Sequence, residues 1–259
     1  MSDTHLISAD KLCSDYLERV IELMQNTQSA EKDNFEAAAT LIAENIMLDR
    51  LVHIFGPGGH SNLAAQEVFF RAGGLMHMNA ILDEGTLLSN GALRSMAMER
   101  TPGYGRLVIE NQNLSSNDLL ILVNAYGINA ALIDAAITAR EKGVKLIGIS
   151  SRTHADNTSA DHPARHPGKQ NLHDLVDVAI DTKVPVGDAV ISIPGVSENT
   201  SAVSTFANAM ALNTLIIRTI VKLRNAGVEP PIWRSGNAPG GDEANGRFLD
   251  RFRGRVRAL

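Results

Sequence analysis

Residues 56–61 read Gly-Pro-Gly-Gly-His-Ser, directly after the apolar run Leu51–Phe55 and directly before a stretch with helical spacing. Glycines let a backbone approach a ligand closely. The start of a helix offers N–H groups without intrahelical partners and a partial positive charge, which suits an anion. Gly58, Gly59, His60 and Ser61 therefore read as an anion cradle, with the Ser61 hydroxyl as an added donor and His60 able to bond a substrate hydroxyl. A second loop has the same character. The apolar run 119–123 leads into "NAYGINA" (124–130), which carries Asn124, Tyr126, Gly127 and Asn129 ahead of another helical stretch. A third polar set, Thr200, Ser201 and Ser204, opens a long helical segment, where it also reads as ordinary N-capping. Gly56, Gly58 and Ser61 occupy the three places of a G-x-G-x-x-G fingerprint, and Asp83 follows the next apolar run. A nucleotide reading therefore stays open despite the missing third glycine.

The elements that must position these residues alternate. Leu12, Tyr16, Leu17, Val20, Ile21 and Met24 share one helical face, and Phe35, Ala38, Ala39, Ile42 and Ile46 share another. "NTQSAEKDN" between them reads as the turn of a helical hairpin over residues 1–50. Strand candidates follow at 51–55, 75–82, 119–124, 145–150 and 176–181, with helical stretches at 61–72, 91–100 and 129–142. This pattern predicts an α/β fold with a parallel, doubly wound sheet. Residues 199–227 read as one long helix stopped by Gly227. The hairpin and residues 51–227 form one domain in this reading, and 228–259 add a loop and a final helix.

Composition narrows the function classes. The formal net charge of −5 implies no basic face, so nucleic acid is not an expected partner, and "RFRGRVRAL" at the C-terminal end reads as a solvated tail or a subunit contact. The single cysteine, Cys13, permits no intrachain disulfide and no multi-cysteine zinc site, which fits a reducing cytoplasm. No leader pattern and no apolar run of about 18 residues is evident, so no membrane span is expected.

"GPGGHSNLAAQEVFFRAGG", "GALRS", "HPGKQNLHDLVDVAID", "VGDA" and "GNAPGGDEANGRFLDRFRGR" together resemble the SIS (sugar isomerase) domain family, and within it a branch of uncharacterised bacterial proteins. The resemblance spans nearly the whole chain. It implies a three-layer sandwich with a five-stranded parallel sheet between helices behind an N-terminal hairpin. It also implies phosphosugar binding or isomerisation without metal or other cofactor, and a homodimer or homotetramer with sites shared between subunits. Ser61 matches the family's first-loop serine, and Thr200, Ser201 and Ser204 match its hydroxyl-rich start of the last helix. The family's second loop usually reads Ser-x-Ser-Gly. Here Asn124 and Tyr126 stand in the serine places, so the cradle is smaller or differently charged: the anion is bound in another pose, or it is a sulfonate or carboxylate rather than a phosphate, or phosphate binding has been lost.

Aldose–ketose isomerisation needs a base to move a proton between C1 and C2 and an acid to open the ring or polarise the carbonyl. Glu67, six residues into the helix that starts at the cradle and followed by "VFF", is the candidate base, with Asp83 and Glu84 behind it. His166, in the element His-Pro-Gly-Lys that marks the branch, is the candidate acid, and Lys169 suits an anionic substrate. The loop 152–173 also carries His154, His162 and His173, but without metal-ligand spacing. His53 and His77 lie inside strand candidates and read as buried structural residues. Asp242, Glu243 and Asn245 read either as a loop closing over a neighbouring subunit or as the cap of the last helix. The expected activity is an isomerase acting on a phosphorylated or otherwise anionic sugar. A non-catalytic sugar-phosphate-sensing module is the competing reading.

Overall fold

The computed structural model describes residues 7–259. Five parallel strands, β1 (Val52–Phe55), β2 (Met78–Ile81), β3 (Leu119–Val123), β4 (Lys145–Ser150) and β5 (Val178–Asp181), form one sheet in the order β2-β1-β3-β4-β5. Nearly every strand residue is apolar because helices cover both faces, as buried parallel sheets require. Side chains alternate between those faces. Val52, Ile54, Leu119, Ile121, Val123, Ile147 and Ile149 pack against α2 (Lys32–Met47), α3 (Ser61–Val68) and α8 (Ser204–Asn225). Phe55, Leu120, Leu122 and Leu146 point the other way, onto α5 (Tyr104–Glu110) and α6 (Ala130–Glu141). Phe35 and Ile42 on α2 are fully buried, and each such side chain stabilises the fold by roughly 1.5–3 kcal/mol. The predicted three-layer α/β architecture is therefore the one observed.

Between β1 and β3 the strand order reverses direction, and at such a switch point the loops beyond the strand ends diverge and leave a crevice. Phe55 pairs in register with Leu122, so the loop after β1 and the loop after β3 leave the sheet side by side. α4 (Ala92–Glu99) closes the crevice from above.

Several boundaries differ from the sequence expectation. No extended turn separates the N-terminal helices: α1 (Ala9–Ala30) meets α2 at the single residue Glu31. Only Val20 and Thr27 of α1 are buried, while Leu17 and Ile21 of its apolar stripe remain exposed. The segment 199–203 is not the start of the long helix. Thr200–Ala202 is a strand, β7, paired antiparallel with β6 (Ala189–Ile191). The Asp188 carboxylate accepts from the N–H groups of Val203 and Ser204 at 2.9 and 2.8 Å and from the Ser204 hydroxyl at 2.6 Å. That cap starts α8 at Ser204, five residues later than the pattern suggested. The loop 152–173 is not irregular throughout, because Ser151 caps the short helix α7 (Arg152–Asp156). α8 is long and apolar enough to cross a membrane by composition, but Ala207, Ala211, Leu212, Leu215 and Leu223 are buried in the core.

Residues beyond Gly227 return to the β2 side. Trp233 and, from α9 (Gly241–Phe252), Phe252 close over Met76, and Asp49 accepts from Arg251 and Arg255. Asn245 caps backbone rather than reaching outward: its side chain bonds both the N–H and the C=O of Arg234 at 2.8 Å. His77 is fully buried against Phe252, and desolvation holds it at about 4. His53, also buried, pairs with Asn79 at 2.9 Å and is likewise lowered by burial. Both histidines are structural, as expected.

Glu31 ties the hairpin to the sheet. Its carboxylate accepts from Asn34 Nδ2 at 2.8 Å, from the N–H of Asp181 at 3.2 Å and from Lys183 Nζ at 3.1 Å. Glu31→Ala removes one acceptor from three donors at a nearly buried corner. It is expected to cost about 1–3 kcal/mol in urea unfolding, more than the mutation of Asn34 to Ala, which removes one neutral donor.

Candidate functional site

The crevice at the β1/β3 switch point encloses about 260 Å³ and is lined by Gly58, Gly59, His60, Ser61, Leu88, Ala92, Ser95, Met96, Glu99, Asn124, Ala125, Tyr126, Asn129, Asp188 and Ser204. Two predicted loops thus face one another, and the start of α8 joins them through Ser204 alone. Thr200 and Ser201, carried on β7, do not line it.

One residue joins the loops. Asn124 donates through Nδ2 to the carbonyl of Pro57 at 3.2 Å and to Ser61 Oγ at 3.1 Å. Its Oδ1 accepts from the N–H groups of Tyr126 and Gly127, each at 3.0 Å. Because Ser61 Oγ accepts here, its own O–H is left to donate toward the crevice. Gly127 backs the site at φ +70, a backbone that carries its N–H into this turn.

Glu99, at the end of α4, is the carboxylate that reaches the cradle, and the sequence reading missed it. Asn129 Nδ2 donates to Glu99 Oε1 at 3.4 Å. Gly58, at φ +97, stands so near that a Cβ there would overlap Glu99 Oε2. Part of the space that the glycines open is therefore taken by this side chain rather than by a ligand. Burial among the loops pushes the Glu99 carboxyl up to about 7, with Arg100 opposing weakly. A group that titrates near neutral pH can both take and return a proton. Its signal was its place in the polar end of the helical stretch 91–100, which carried nothing specific.

Tyr126 lines the crevice and stacks on His154 with ring centroids 3.6 Å apart and planes inclined by 17°. Desolvation, with Asp188 and Glu99 adding to it, raises the Tyr126 phenol, and desolvation also lowers His154. The pair forms a stacked wall in which burial disfavours charge on both rings. Ser95 turns its hydroxyl to the carbonyl of Thr86 at 2.7 Å and so supports α4.

The structure moves three further predicted residues out of the site. Glu67 projects toward α8, where it accepts from Asn213 at 3.2 Å and pairs with Arg71 at 3.4 Å. Periodicity placed it on the right helix but on the face that packs away from the crevice. His166 lies beyond α6. Its Nδ1 accepts from the N–H of Gly168 at 2.9 Å, so Nε2 carries the proton and donates to Asp134 at 3.1 Å. Both ring nitrogens are used in holding the loop, and His-Pro-Gly-Lys reads as a structural clasp. Lys169, at φ +58, pairs with exposed Asp161 at 2.7 Å. The runners-up fare no better. Asp83 accepts from Tyr104 at 2.8 Å and from Thr86, and Glu84 lies beside a separate cleft with Arg257. Among the described residues no group of His, Cys, Asp or Glu is arranged to hold a metal ion.

A SIS-domain family model matches residues 15–151. A UPF0309 protein of Geobacillus kaustophilus is 34% identical over 248 residues, covering 96% of this chain and 97% of its own. One from Halalkalibacterium halodurans matches to the same extent. Among solved structures, a phosphoheptose isomerase from Neisseria gonorrhoeae superposes with a TM-score of 0.55 at 15% identity, covering 84% of this chain and all of its own. One from Francisella tularensis superposes at 0.50 with 14% identity, covering 82% and 98%.

Burial raises the Glu99 carboxyl above its unfolded value of about 4.5, so the folded state binds this proton more tightly than the unfolded chain. The associated stability is complete below about 4.5 and is lost as pH rises through about 7. Glu99→Gln, which keeps the neutral shape, is therefore expected to raise the melting temperature at pH 8 relative to the parent and to change it little at pH 4.5. Paired thermal unfolding curves at the two pH values check this.

Proposed function

The chain belongs to the SIS-domain family, among its UPF0309 proteins, and on that footing we propose that it is an aldose–ketose isomerase for an anionic sugar, with Glu99 as the base. The observation that carries this reading is the Glu99 carboxyl, held at about 7 inside the crevice opposite the start of α3. The sugar's anion sits at the α3 N-terminus, with the Ser61 hydroxyl donating to it. Glu99 then takes the proton from C2 of the aldose, and its return to C1 of the enediol gives the ketose. Asn129 orients the carboxylate through its amide. His60, on the crevice wall, polarises the carbonyl oxygen. Phosphoheptose isomerases share the fold; the roles of Glu99, Asn129 and His60 rest on this chain's own residues.

The test follows solvent deuterium into C1 and C2 over a panel of phosphorylated, sulfonated and carboxylated aldoses and ketoses. Exchange is expected with at least one member, and Glu99→Gln is expected to lower it by about 10²–10⁴-fold. Glu67→Gln, by contrast, is expected to stay within a few fold of the parent. Binding without exchange across the panel would make the chain a sugar-sensing module instead.

We further propose assembly into a homodimer or homotetramer. On α8, Phe206, Ile217 and Val221 are exposed at helical spacing, and on α1 Leu17 and Ile21 are exposed as well. Apolar stripes of this kind mark contact surfaces. Light scattering at micromolar concentration is expected to give a multiple of the 27.8 kDa chain mass, and Ile217→Glu is expected to shift it toward the monomer.

A further inference from the structure

His-Pro-Gly-Lys and the helix it touches lie outside the crevice, yet they hold both partners of the contact between Glu99 and Asn129. Glu99 is the last residue of α4. Four residues later the N–H of Gly103, left-handed at φ +85 where α5 opens, donates to Asp134 Oδ2 at 2.6 Å. Asp134 stands on α6, the helix that starts directly after Asn129. One carboxylate thus ties the chain just beyond Glu99 to the helix that carries Asn129. α5 also sits close on α6, where a Cβ on Gly105 would overlap the carbonyl of Ala131.

His166 braces the same place from the other side. Its Nε2–H donates to Asp134 Oδ1 at 3.1 Å, so each carboxylate oxygen faces its own donor and the side chain is held in one orientation. Both side chains are mostly buried, which keeps water from replacing either partner. The N–H of His166 donates to the carbonyl of Ile128 at 2.9 Å, Arg165 forms an antiparallel bridge with Asn129, and Leu172 donates to the carbonyl of Gly127 at 2.9 Å. Asn129 is therefore placed from behind by the segment 165–172, and Glu99 through Asp134. Their contact spans 3.4 Å, near the limit of a hydrogen bond, so a small shift of α4 would break it.

We infer that Asp134, braced by His166, is a positioning residue that acts through Gly103 to set the Glu99 carboxyl against Asn129 and among the loops of the crevice. Its contribution to catalysis rests on the isomerase reading; the placement of Glu99 does not. A cap that only stabilises the start of α5 would lower stability and leave Glu99 unmoved.

The test follows the Glu99 carboxyl by carbon-13 NMR in the full chain labelled at glutamate, its signal identified by its loss in Glu99→Gln. The parent midpoint is expected at about 7. In Asp134→Ala the carboxyl gains water, and the midpoint is expected to fall by about one unit toward the ordinary 4.5. Asp134→Asn removes the same charge but keeps an oxygen for the Gly103 N–H, and it is expected to stay much closer to the parent. Glu31→Ala, which loosens the hairpin at a distance, is expected to lower the melting temperature and leave the Glu99 midpoint where it is. The other ionisable groups around Glu99, namely His60, Tyr126, Asp188 and Arg100, are the same in these proteins. On a sugar that exchanges deuterium, Asp134→Ala is expected to lower kcat by about 10–10²-fold with KM within a few fold, and to carry the low-pH limb of the kcat profile down with the Glu99 midpoint. An unmoved midpoint in folded Asp134→Ala overturns the inference. So does an Asp134→Asn or Glu31→Ala protein that shifts as far as Asp134→Ala. Should Asp134→Ala fail to fold, His166→Phe, which keeps a ring but removes the donor to Asp134, decides: a lowered midpoint is expected, and an unchanged one is fatal. Lowered midpoints with no deuterium exchange on any sugar would sink the isomerase reading and leave this one standing.

Discussion

The crevice depends on a single carboxamide. Asn124 spans the gap between two loops that the sheet delivers side by side, and it uses both ends of its amide to do so. Pro57 and Ser61 lie on one side, Tyr126 and Gly127 on the other. A serine is too short to bridge all four. An aspartate lacks the donor for the Pro57 carbonyl. The geometry of the β1 loop and the direction in which Ser61 presents its hydroxyl both follow from that bridge.

Around it the site is built from exclusion as much as from contact. Gly58 has no side chain, so the Glu99 carboxylate can approach the loop, and that approach is what desolvates the carboxylate and moves it toward neutrality. Tyr126 and His154 stack to form a wall, and burial disfavours the charged form of each. Asp188 satisfies the end of α8 and in the same stroke presents a carboxylate to the crevice. A small crevice lined by two carboxyl groups results.

The fold was legible in the amino-acid pattern for a simple reason. Runs such as 119–123 and 145–150 are apolar throughout because both sheet faces are covered, and helical stretches of matching length separate them. Loop chemistry was legible too: "GPGGHS" and "NAYGINA" do meet. The hydroxyl set at 200–204 was only half legible. Periodicity cannot separate a capped helix from a strand that leads into it, and the cap comes from Asp188, twelve residues upstream of Thr200.

The catalytic assignments show where sequence stops. Glu67 and His166 have suitable types and suitable neighbours in the chain, yet Glu67 turns toward Asn213 and Arg71, and His166 spends both ring nitrogens on Gly168 and Asp134. Glu99 stands among unremarkable helix residues and becomes special only when α4 folds over Gly58. By itself the sequence determined the layers, the strand order's raw material and the two loops at the crevice, because hydrophobic periodicity and glycine placement are local properties. Only the tertiary structure decided which carboxylate is pushed toward neutral pH and which loop donors the protein's own side chains hold, because desolvation and hydrogen-bond occupancy arise from segments far apart in the chain.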